Sequence, residues 1–158
     1  MKFSYMLMDT SLGYMGFAGS SLGLRRVVLP QSSREMVLMS LGIPDERIDD
    51  ISVFGDLPRR LGQYLEGQIV LFPDKLDFTG ATPFQRTVWE ITRDIPYGES
   101  RSYTWVAERV GNPQAARAVG QALSINHMPL VVPCHRVIAS GGRLGGYRGG
   151  LRMNEWLL

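Results

Sequence analysis

Residues 67–81 (GQIVLFPDKLDFTGA) constrain the fold most, because they separate two parts of the chain that have different patterns. The segment contains Gly, Pro and Asp and shows no helical period. Short apolar runs separated by glycine precede it, and amphipathic stretches with well-marked helix ends follow it. The 158 residues are enough for one ordinary domain or two small ones. We therefore predict an α+β fold with two subdomains, residues 1–75 and residues 76–158.

The first subdomain is predicted to combine hairpin strands with one or two helices. Three apolar runs of strand length lie between residues 3 and 29, and glycines mark the turns between them. Ser32 and Glu35 then have the spacing of a capping box at the start of a helix. A second helix is implied by apolar residues at helical spacing before Gly67, namely Leu57, Leu61, Tyr64 and Leu65. The pattern is typical of a small antiparallel sheet covered by helices.

The second subdomain is predicted to begin with a helix. Thr82 and Gln85 have capping-box spacing, and Pro83 suits the first helical position. Apolar side chains then recur on one face until Pro96: Phe84, Val88, Ile91 and Ile95. The tryptophans lie on predicted helices, and we expect them to pack in the core rather than to stack on bases: Trp89, Trp105 and Trp156.

Two short helices joined by a Gly-Asn-Pro turn follow, in the form of a helix-turn-helix. Ser102 begins the first helix, which ends at Gly111, and Asn112-Pro113 is expected to cap the second, which runs to about Ser124. The inner side of the second helix is predicted to carry Ala116, Val119 and Leu123. Its outward stripe is polar and small: Gln114, Arg117, Gly120, Gln121 and Ser124. This pattern fits either a DNA-binding helix or a plain helical hairpin packed on the core.

Charge separates the two parts further. Residues 1–75 carry eight basic and nine acidic side chains, whereas residues 76–158 carry nine and six. All nine basic residues of the second part are arginines, which suit planar contact with phosphates and bases. A solvated arginine-rich face is the alternative interpretation.

The single cysteine, Cys134, excludes an internal disulfide and a cysteine-rich zinc site. It follows the apolar run Leu130-Val131-Val132, predicted to be a strand, and lies in the turn Pro133-Cys134-His135-Arg136-Val137. A neighbouring His or Arg lowers the pKa of a thiol and so favours the nucleophilic thiolate. Free cysteines are also commonly buried and inert. The residues alone leave both interpretations open.

Three motifs stand out in the second part of the chain: PCHRV at 133–137, GNPQAARAVG at 111–120 and GGYRGGL at 145–151. Together they resemble the O6-alkylguanine-DNA alkyltransferase family over residues 82–158, and the first is highly specific. Residues 1–75 resemble the family's N-terminal subdomain, an antiparallel sheet with helices in a ribonuclease-H-like arrangement, in outline only. The resemblance implies double-stranded DNA that contains O6-alkylguanine, or O4-alkylthymine, as the partner of a monomeric protein.

The family reaction is a single irreversible alkyl transfer that uses no cofactor. By resemblance, Cys134 accepts the alkyl group and His135 deprotonates it through a water. Asn126 ties the helix-turn-helix to the active-site loop. Tyr103 helps to rotate the nucleotide out of the duplex and donates to guanine, and Arg117 fills the vacated space in the base stack. A buried base must leave the stack before a sulfur can reach it.

The resemblance also assigns a pocket and a DNA surface. Leu123, Pro129 and Tyr147 wall the pocket, while backbone groups of Val137 and Arg148 contact the base. The helix-turn-helix is expected to bind the minor groove of DNA and to recognise little of the base sequence. Further DNA contacts are assigned to small and polar residues: Gln114, Ala115, Ala116, Gln121 and Ser140.

Two departures from the family pattern affect these expectations. Arg148 stands where many members have serine, so we expect altered DNA contacts without loss of activity. The family's catalytic glutamate lies a few residues beyond the Trp-Leu-Leu that corresponds to residues 156–158, where this sequence stops. Either the sequence is cut short there or His135 works without its usual carboxylate, which would slow transfer and leave DNA binding largely intact.

Two other functions remain as alternatives. One is a non-enzymatic lesion sensor similar to the alkyltransferase-like proteins, in which tryptophan replaces the cysteine; Cys134 argues against it. The other is a regulatory helix-turn-helix protein.

No cysteine or histidine precedes His127, so no metal site is expected. No apolar run approaches the roughly 18 residues of a membrane span, and we expect a cytoplasmic protein on the nucleoid, or a nuclear one in a eukaryote.

Overall fold

The computed structural model describes residues 3–42 and 51–139. The chain divides into two compact units, Met1–Phe78 and Thr79–Leu158. Within the described ranges, no helix has the length and apolar character needed to cross a membrane. The combination of an antiparallel sheet with helices confirms the predicted α+β class.

The first unit is built on a three-stranded antiparallel sheet in the order β1-β2-β3. Its strands are β1 (Ser4–Thr10), β2 (Gly13–Ser20) and β3 (Gly23–Gln31), so the predicted hairpins are confirmed. Gly23 has a φ of +141°, and a Cβ there would collide with the Lys75 carbonyl. That close approach is needed because the Leu24 amide donates to the Lys75 carbonyl at 2.8 Å. The chain thus returns along β3 before it leaves the first unit.

Two α-helices and a short 3₁₀ helix cover this sheet. They are α1 (Arg34–Leu41), the 3₁₀ helix Ile51–Phe54 and α2 (Leu57–Leu65). The cap of α1 is Ser33, whose hydroxyl accepts from the Met36 amide at 3.2 Å. The predicted Ser32 cap is therefore wrong by one residue, since either serine satisfies the local pattern. The four apolar residues predicted for α2 are all buried, which confirms that helix.

The core of the first unit contains fully buried Met15, Phe17 and Leu61. The Phe17 ring meets the Phe54 ring edge-on, with centroids 4.8 Å apart. The buried Asp77 carboxylate accepts from the Ser20 hydroxyl at 2.6 Å and pairs with Arg25 at 3.2 Å. These bonds hold the returning segment against the second hairpin.

Three packed helices and a two-stranded parallel ladder form the second unit. The helices are α3 (Pro83–Arg93), α4 (Tyr103–Val110) and α5 (Ala116–Ser124). The ladder pairs β4 (Arg101–Ser102) with β5 (Val137–Ile138), and a 3₁₀ helix, Cys134–Arg136, precedes β5. This ladder brings the start of α4 beside the end of the cysteine segment.

The inner face of α3 differs from the predicted one. Its buried residues are Val88, Trp89 and Thr92, because the Trp89 indole donates to the Ala122 carbonyl of α5 at 2.9 Å. The expectation that Trp89 belongs to the core is confirmed. Ile95 is also buried, but it lies in the loop beyond the end of α3.

The second helix of the pair begins later than predicted. The Asn112 side chain accepts from the Gln114 amide at 3.2 Å, and the Ala115 amide donates to the Asn112 carbonyl at 3.0 Å. Asn112 therefore initiates a turn instead of capping the helix. The first helix is as predicted, with Ser102 as its cap and Gly111 in the left-handed conformation at its end.

Replacing Thr82 with alanine is expected to lower the free energy of unfolding by about 1 kcal/mol. The Thr82 hydroxyl accepts from the Gln85 amide, and the Gln85 side chain accepts from the Thr82 amide, so the variant breaks a complete capping box. Urea unfolding measures the loss. Thr104→Ala, at an exposed position in α4, is the matched control and should be neutral or slightly stabilising. Equal losses in both variants would contradict the cap's contribution.

Candidate active site

Asn126 organises the segment that follows α5. It is buried, and its side-chain amide donates to the Val132 carbonyl at 2.9 Å. Its side-chain oxygen accepts from the Met128 amide, also at 2.9 Å. The Val132 amide in turn donates to the Met128 carbonyl at 2.8 Å. One amide side chain therefore closes residues 126–132 into a tight turn.

The predicted strand at residues 130–132 is consequently wrong. Its apolar residues have the composition of a buried strand, but they form this turn, with only an isolated bridge between Pro129 and Val132. Leu130 has a φ of +75° and is 1% exposed. A left-handed conformation at a bulky residue costs on the order of 1–3 kcal/mol, and burial of the leucine side chain together with the Asn126 bonds offsets that cost.

Cys134 and His135 lie on the single 3₁₀ turn that follows. The Cys134 amide donates to the Val132 carbonyl at 2.8 Å, so the cysteine is fixed by the residue that Asn126 binds. The two side chains are 5% and 1% exposed, respectively. Cys134 is thus a nearly enclosed thiol on a rigid backbone.

His135 is held in its neutral form. Burial, reinforced by the positive charge of Arg136, lowers the pKa of His135 to about 3. Neutral imidazole has one nitrogen able to accept a proton and one N–H able to donate. At physiological pH the group beside Cys134 is therefore a proton acceptor, but an imidazolium there is disfavoured.

Arg136 fixes the other end of the 3₁₀ turn. Its guanidinium donates to the Ile95 carbonyl at 2.7 Å and lies over the Tyr97 ring, 5.6 Å from the centroid. The side chain is buried, so this bond connects the cysteine segment to the loop after α3. The sequence predicts Arg136 only as a neighbouring charge that lowers the pKa of the thiol, because no local pattern shows which carbonyl 41 residues away it contacts.

Tyr103 lies at the first position of α4, directly after β4. It is half-buried, and burial, with a smaller contribution from the charge of Cys134, raises the pKa of its hydroxyl. The hydroxyl is therefore protonated at neutral pH and close enough to Cys134 to sense its charge. The ring packs beside α5 at Gly120, where a Cβ would lie 3.7 Å from Tyr103 Cε1, an ordinary van der Waals distance.

The remaining sequence-predicted residues divide into three groups. Gln114, Arg117 and Gln121 are exposed, as the outward stripe predicts, whereas Ala115 is buried and Ala116 is half-buried. The burial of Ala115 therefore does not favour the direct DNA contact predicted for it. The proposed pocket residues Leu123, Pro129 and Val137 are all buried. The others lie outside the described residues: Ser140, Tyr147 and Arg148.

No group of three or more His, Cys, Asp or Glu side chains within residues 3–42 and 51–139 is arranged to hold a metal ion. The described part of the site offers a thiol from Cys134, an imidazole from His135 and a phenol from Tyr103. Their arrangement supports nucleophilic attack by sulfur, with a proton acceptor and a proton donor nearby.

Replacing Asn126 with alanine is expected to lower the free energy of unfolding by roughly 2–4 kcal/mol, because a buried amide and a buried carbonyl both lose a partner. Urea unfolding gives the value. Ser124→Ala is the matched control, since its hydroxyl donates to the Gln121 carbonyl on the exposed face of α5. The control should change stability by about 0.5 kcal/mol or less. Equivalent small losses would show that Asn126 does not hold the turn.

The buried neutral His135 makes stability depend on pH. Its pKa falls from 6.5, the ordinary value, to about 3 in the folded chain, so between these values the unfolded chain binds a proton that the folded chain does not. The contribution is complete above the unfolded pKa and is lost as the pH falls toward the folded one. Relative to His135→Gln, the native protein should lose about 2 kcal/mol of unfolding free energy between about pH 7.5 and about pH 5. Urea unfolding at both pH values measures this, and parallel curves would contradict it.

Comparisons with known proteins agree with this geometry. Residues 83–158 match the family described as 6-O-methylguanine DNA methyltransferase, DNA binding domain. A methylated-DNA–protein-cysteine methyltransferase of Methanosarcina acetivorans is 37% identical over 98% of this chain and 95% of its own length. One from Mycolicibacterium paratuberculosis is 38% identical over 98% and 89%.

Solved structures give the same result. The crystal structure of Mycobacterium tuberculosis OGT in complex with DNA matches with a TM-score of 0.79 and 36% identity, over 100% of this chain and 91% of that one. The O6-methylguanine-DNA methyltransferase of Pyrococcus kodakaraensis matches with a TM-score of 0.69 and 25% identity, over 99% and 96%. The chain therefore belongs to the methylated-DNA–protein-cysteine methyltransferase family.

Proposed function

We propose that this protein repairs alkylated DNA by transferring an alkyl group from O6 of guanine to Cys134. The observation that carries the proposal is the enclosed thiol of Cys134 beside neutral His135, on a turn fixed by Asn126, in a member of this family. The family's shared name already states the acceptor as a protein cysteine, and this sequence contains one cysteine.

The reaction balances without any further reactant. The Cys134 sulfur forms a bond to the alkyl carbon while the bond between that carbon and guanine O6 breaks. The bonding electron pair stays on the guanine, which then takes up the proton released by the thiol. The products are S-alkylcysteine and unmodified guanine. A thioether is not displaced by water, so each molecule acts once.

His135 is proposed to pass the thiol proton on rather than to store it. Its neutral ring accepts a proton, but burial and the charge of Arg136 disfavour the imidazolium. A stable ion pair between thiolate and imidazolium is therefore a poor description of the resting site. The proton leaves Cys134 as the sulfur attacks, and it moves toward the guanine, whose basicity rises as the bond to O6 breaks.

Tyr103 is the proposed donor to the leaving base. A tyrosine hydroxyl is protonated at neutral pH, and burial raises the pKa of Tyr103 further. A protonated phenol near the departing guanine stabilises the negative charge that develops there, and this is an interaction made mainly in the transition state. The hydroxyl is thus available as a hydrogen-bond donor, and its raised pKa disfavours the phenolate that general base catalysis would need.

The alkylated base is proposed to leave the duplex before transfer. Guanine O6 lies within the stacked duplex, and a thiol that is 5% exposed cannot reach into it. Arg117, exposed on α5, is the proposed side chain that fills the vacated space, and the small residues of that helix suit a minor-groove approach. The base pocket is proposed to be lined by Leu123, Pro129 and Val137. Further DNA and base contacts are proposed for Ser140, Tyr147 and Arg148.

Chromosomal DNA as substrate would locate the protein on the nucleoid or in the nucleus.

A non-enzymatic lesion sensor is the competing function, and mass spectrometry separates the two. Incubation with duplex DNA containing O6-methylguanine is expected to add the mass of one methyl group, located on Cys134. Cys134→Ser should show no added mass while it still binds the duplex, because serine is close to cysteine in size and a far weaker nucleophile. Binding without any mass change in the native protein would overturn the repair function and favour the sensor.

A further inference from the structure

Trp105 of α4 carries two arginines over its ring. The guanidinium carbon of Arg109 lies 4.7 Å from the ring centroid, and that of Arg101 lies 5.3 Å from it. Arg101 precedes Trp105 by four residues and Arg109 follows it by four, so a single indole ring contacts both arginines. We call these three residues the Arg-Trp-Arg cluster.

The two arginines differ in how far their charge is neutralised. Arg101 pairs with Glu99 at 2.9 Å and also donates to the Ser100 carbonyl at 2.9 Å. Arg109 is exposed, and it makes no ion pair with any carboxylate of the described residues. The preceding residue, Glu108, is exposed and forms no ion pair with Arg109, and no aspartate or glutamate occurs in the sequence from residue 109 to residue 139. Arg109 is therefore a solvent-facing positive charge on the first helix of the helix-turn-helix.

Stacking on Trp105 prepares Arg109 to bind an anion. The N–H groups of a guanidinium that lies over a ring remain available to donate hydrogen bonds, because they point outward in the guanidinium plane. The indole also restricts the rotamers of a long side chain, which lowers the conformational entropy lost when the group binds. An arginine in the last turn of a helix also interacts favourably with the helix dipole, but that effect does not require an aromatic platform.

We propose that Arg109, held on Trp105, binds a phosphate of the DNA backbone. Arg101 would add a weaker contact, since Glu99 already shares its charge. The proposal rests on the proposed function for the identity of the polyanion. It extends the DNA surface from α5 to the exposed face of α4 and gives Trp105 a role that neither core packing nor base stacking describes.

Salt dependence of binding to undamaged duplex DNA tests this contact without any alkyl transfer. Each phosphate contact contributes about 0.9 to the slope of log K against log salt. Arg109→Ala is therefore expected to reduce the slope by about 0.9 and to weaken binding roughly three- to tenfold near 0.1 M salt. Trp105→Leu should weaken binding less, because Arg109 remains but is no longer oriented.

Two controls separate this contact from general effects. Arg59→Ala removes an exposed arginine of the first unit and the same single charge, and it should leave the slope unchanged. The rate of alkyl transfer from a free O6-alkylguanine base reports folding and Cys134 chemistry without DNA. The Arg109 and Trp105 variants are expected to keep the native rate in that assay.

Each result decides a separate part of the proposal. Equal slopes for Arg59→Ala and Arg109→Ala would overturn the phosphate contact and indicate a general charge effect. An Arg109→Ala variant that loses stability but binds DNA normally would overturn it in favour of a helix-dipole role. If Arg109→Ala weakens DNA binding by the same factor in the Trp105→Leu background as in the native protein, the tryptophan does not orient Arg109. Failure of the native protein to react with the free base would count against the proposed function and leave the slope comparison valid.

Discussion

The pair of hydrogen bonds made by the Asn126 side chain is the interaction on which the candidate site depends. It binds a carbonyl and an amide of the same turn, and it thereby holds Leu130 in the left-handed conformation. The Val132 carbonyl that Asn126 binds also accepts from the Cys134 amide. The position of the nucleophile is thus linked by two bonds to a side chain directly after α5, the helix that carries Arg117. The proposed DNA contact at Arg117 and the position of the sulfur are therefore connected through a short stretch of backbone.

Burial of the site explains both the protonation states of its groups and the need for the base to leave the duplex. The same burial that hides Cys134 from solvent lowers the pKa of His135 and raises that of Tyr103. The site therefore contains a neutral acceptor and a protonated donor at neutral pH, which suits one proton that travels from thiol to guanine. Enclosure also requires that the substrate base enter the protein, because the thiol cannot reach into a duplex. A single reaction per molecule is compatible with one buried cysteine.

Local patterns predict the start of α3 and both ends of α4, place the starts of α1 and α5 too early, and predict the site poorly. The Thr82 capping box is encoded within four residues and was predictable. The rotation of α3 was not, because the Trp89 indole contacts a carbonyl 33 residues away. The turn at Leu130 looks like a strand from composition, since the side chain that satisfies its backbone lies before it at Asn126. Motif resemblance identifies the chemistry, but long-range bonds such as that of Arg136 determine the geometry.

Amide hydrogen exchange of the native protein tests the central role of the Asn126 turn most directly. The Met128 and Val132 amides should exchange as slowly as the Val119 amide, which donates within α5 to the Ala115 carbonyl at 2.9 Å. Comparable rates would mean that the turn opens only when the helical unit unfolds. Exchange at Met128 and Val132 that is faster by several orders of magnitude would show that the turn opens by itself. In that case Asn126 would not fix the position of Cys134.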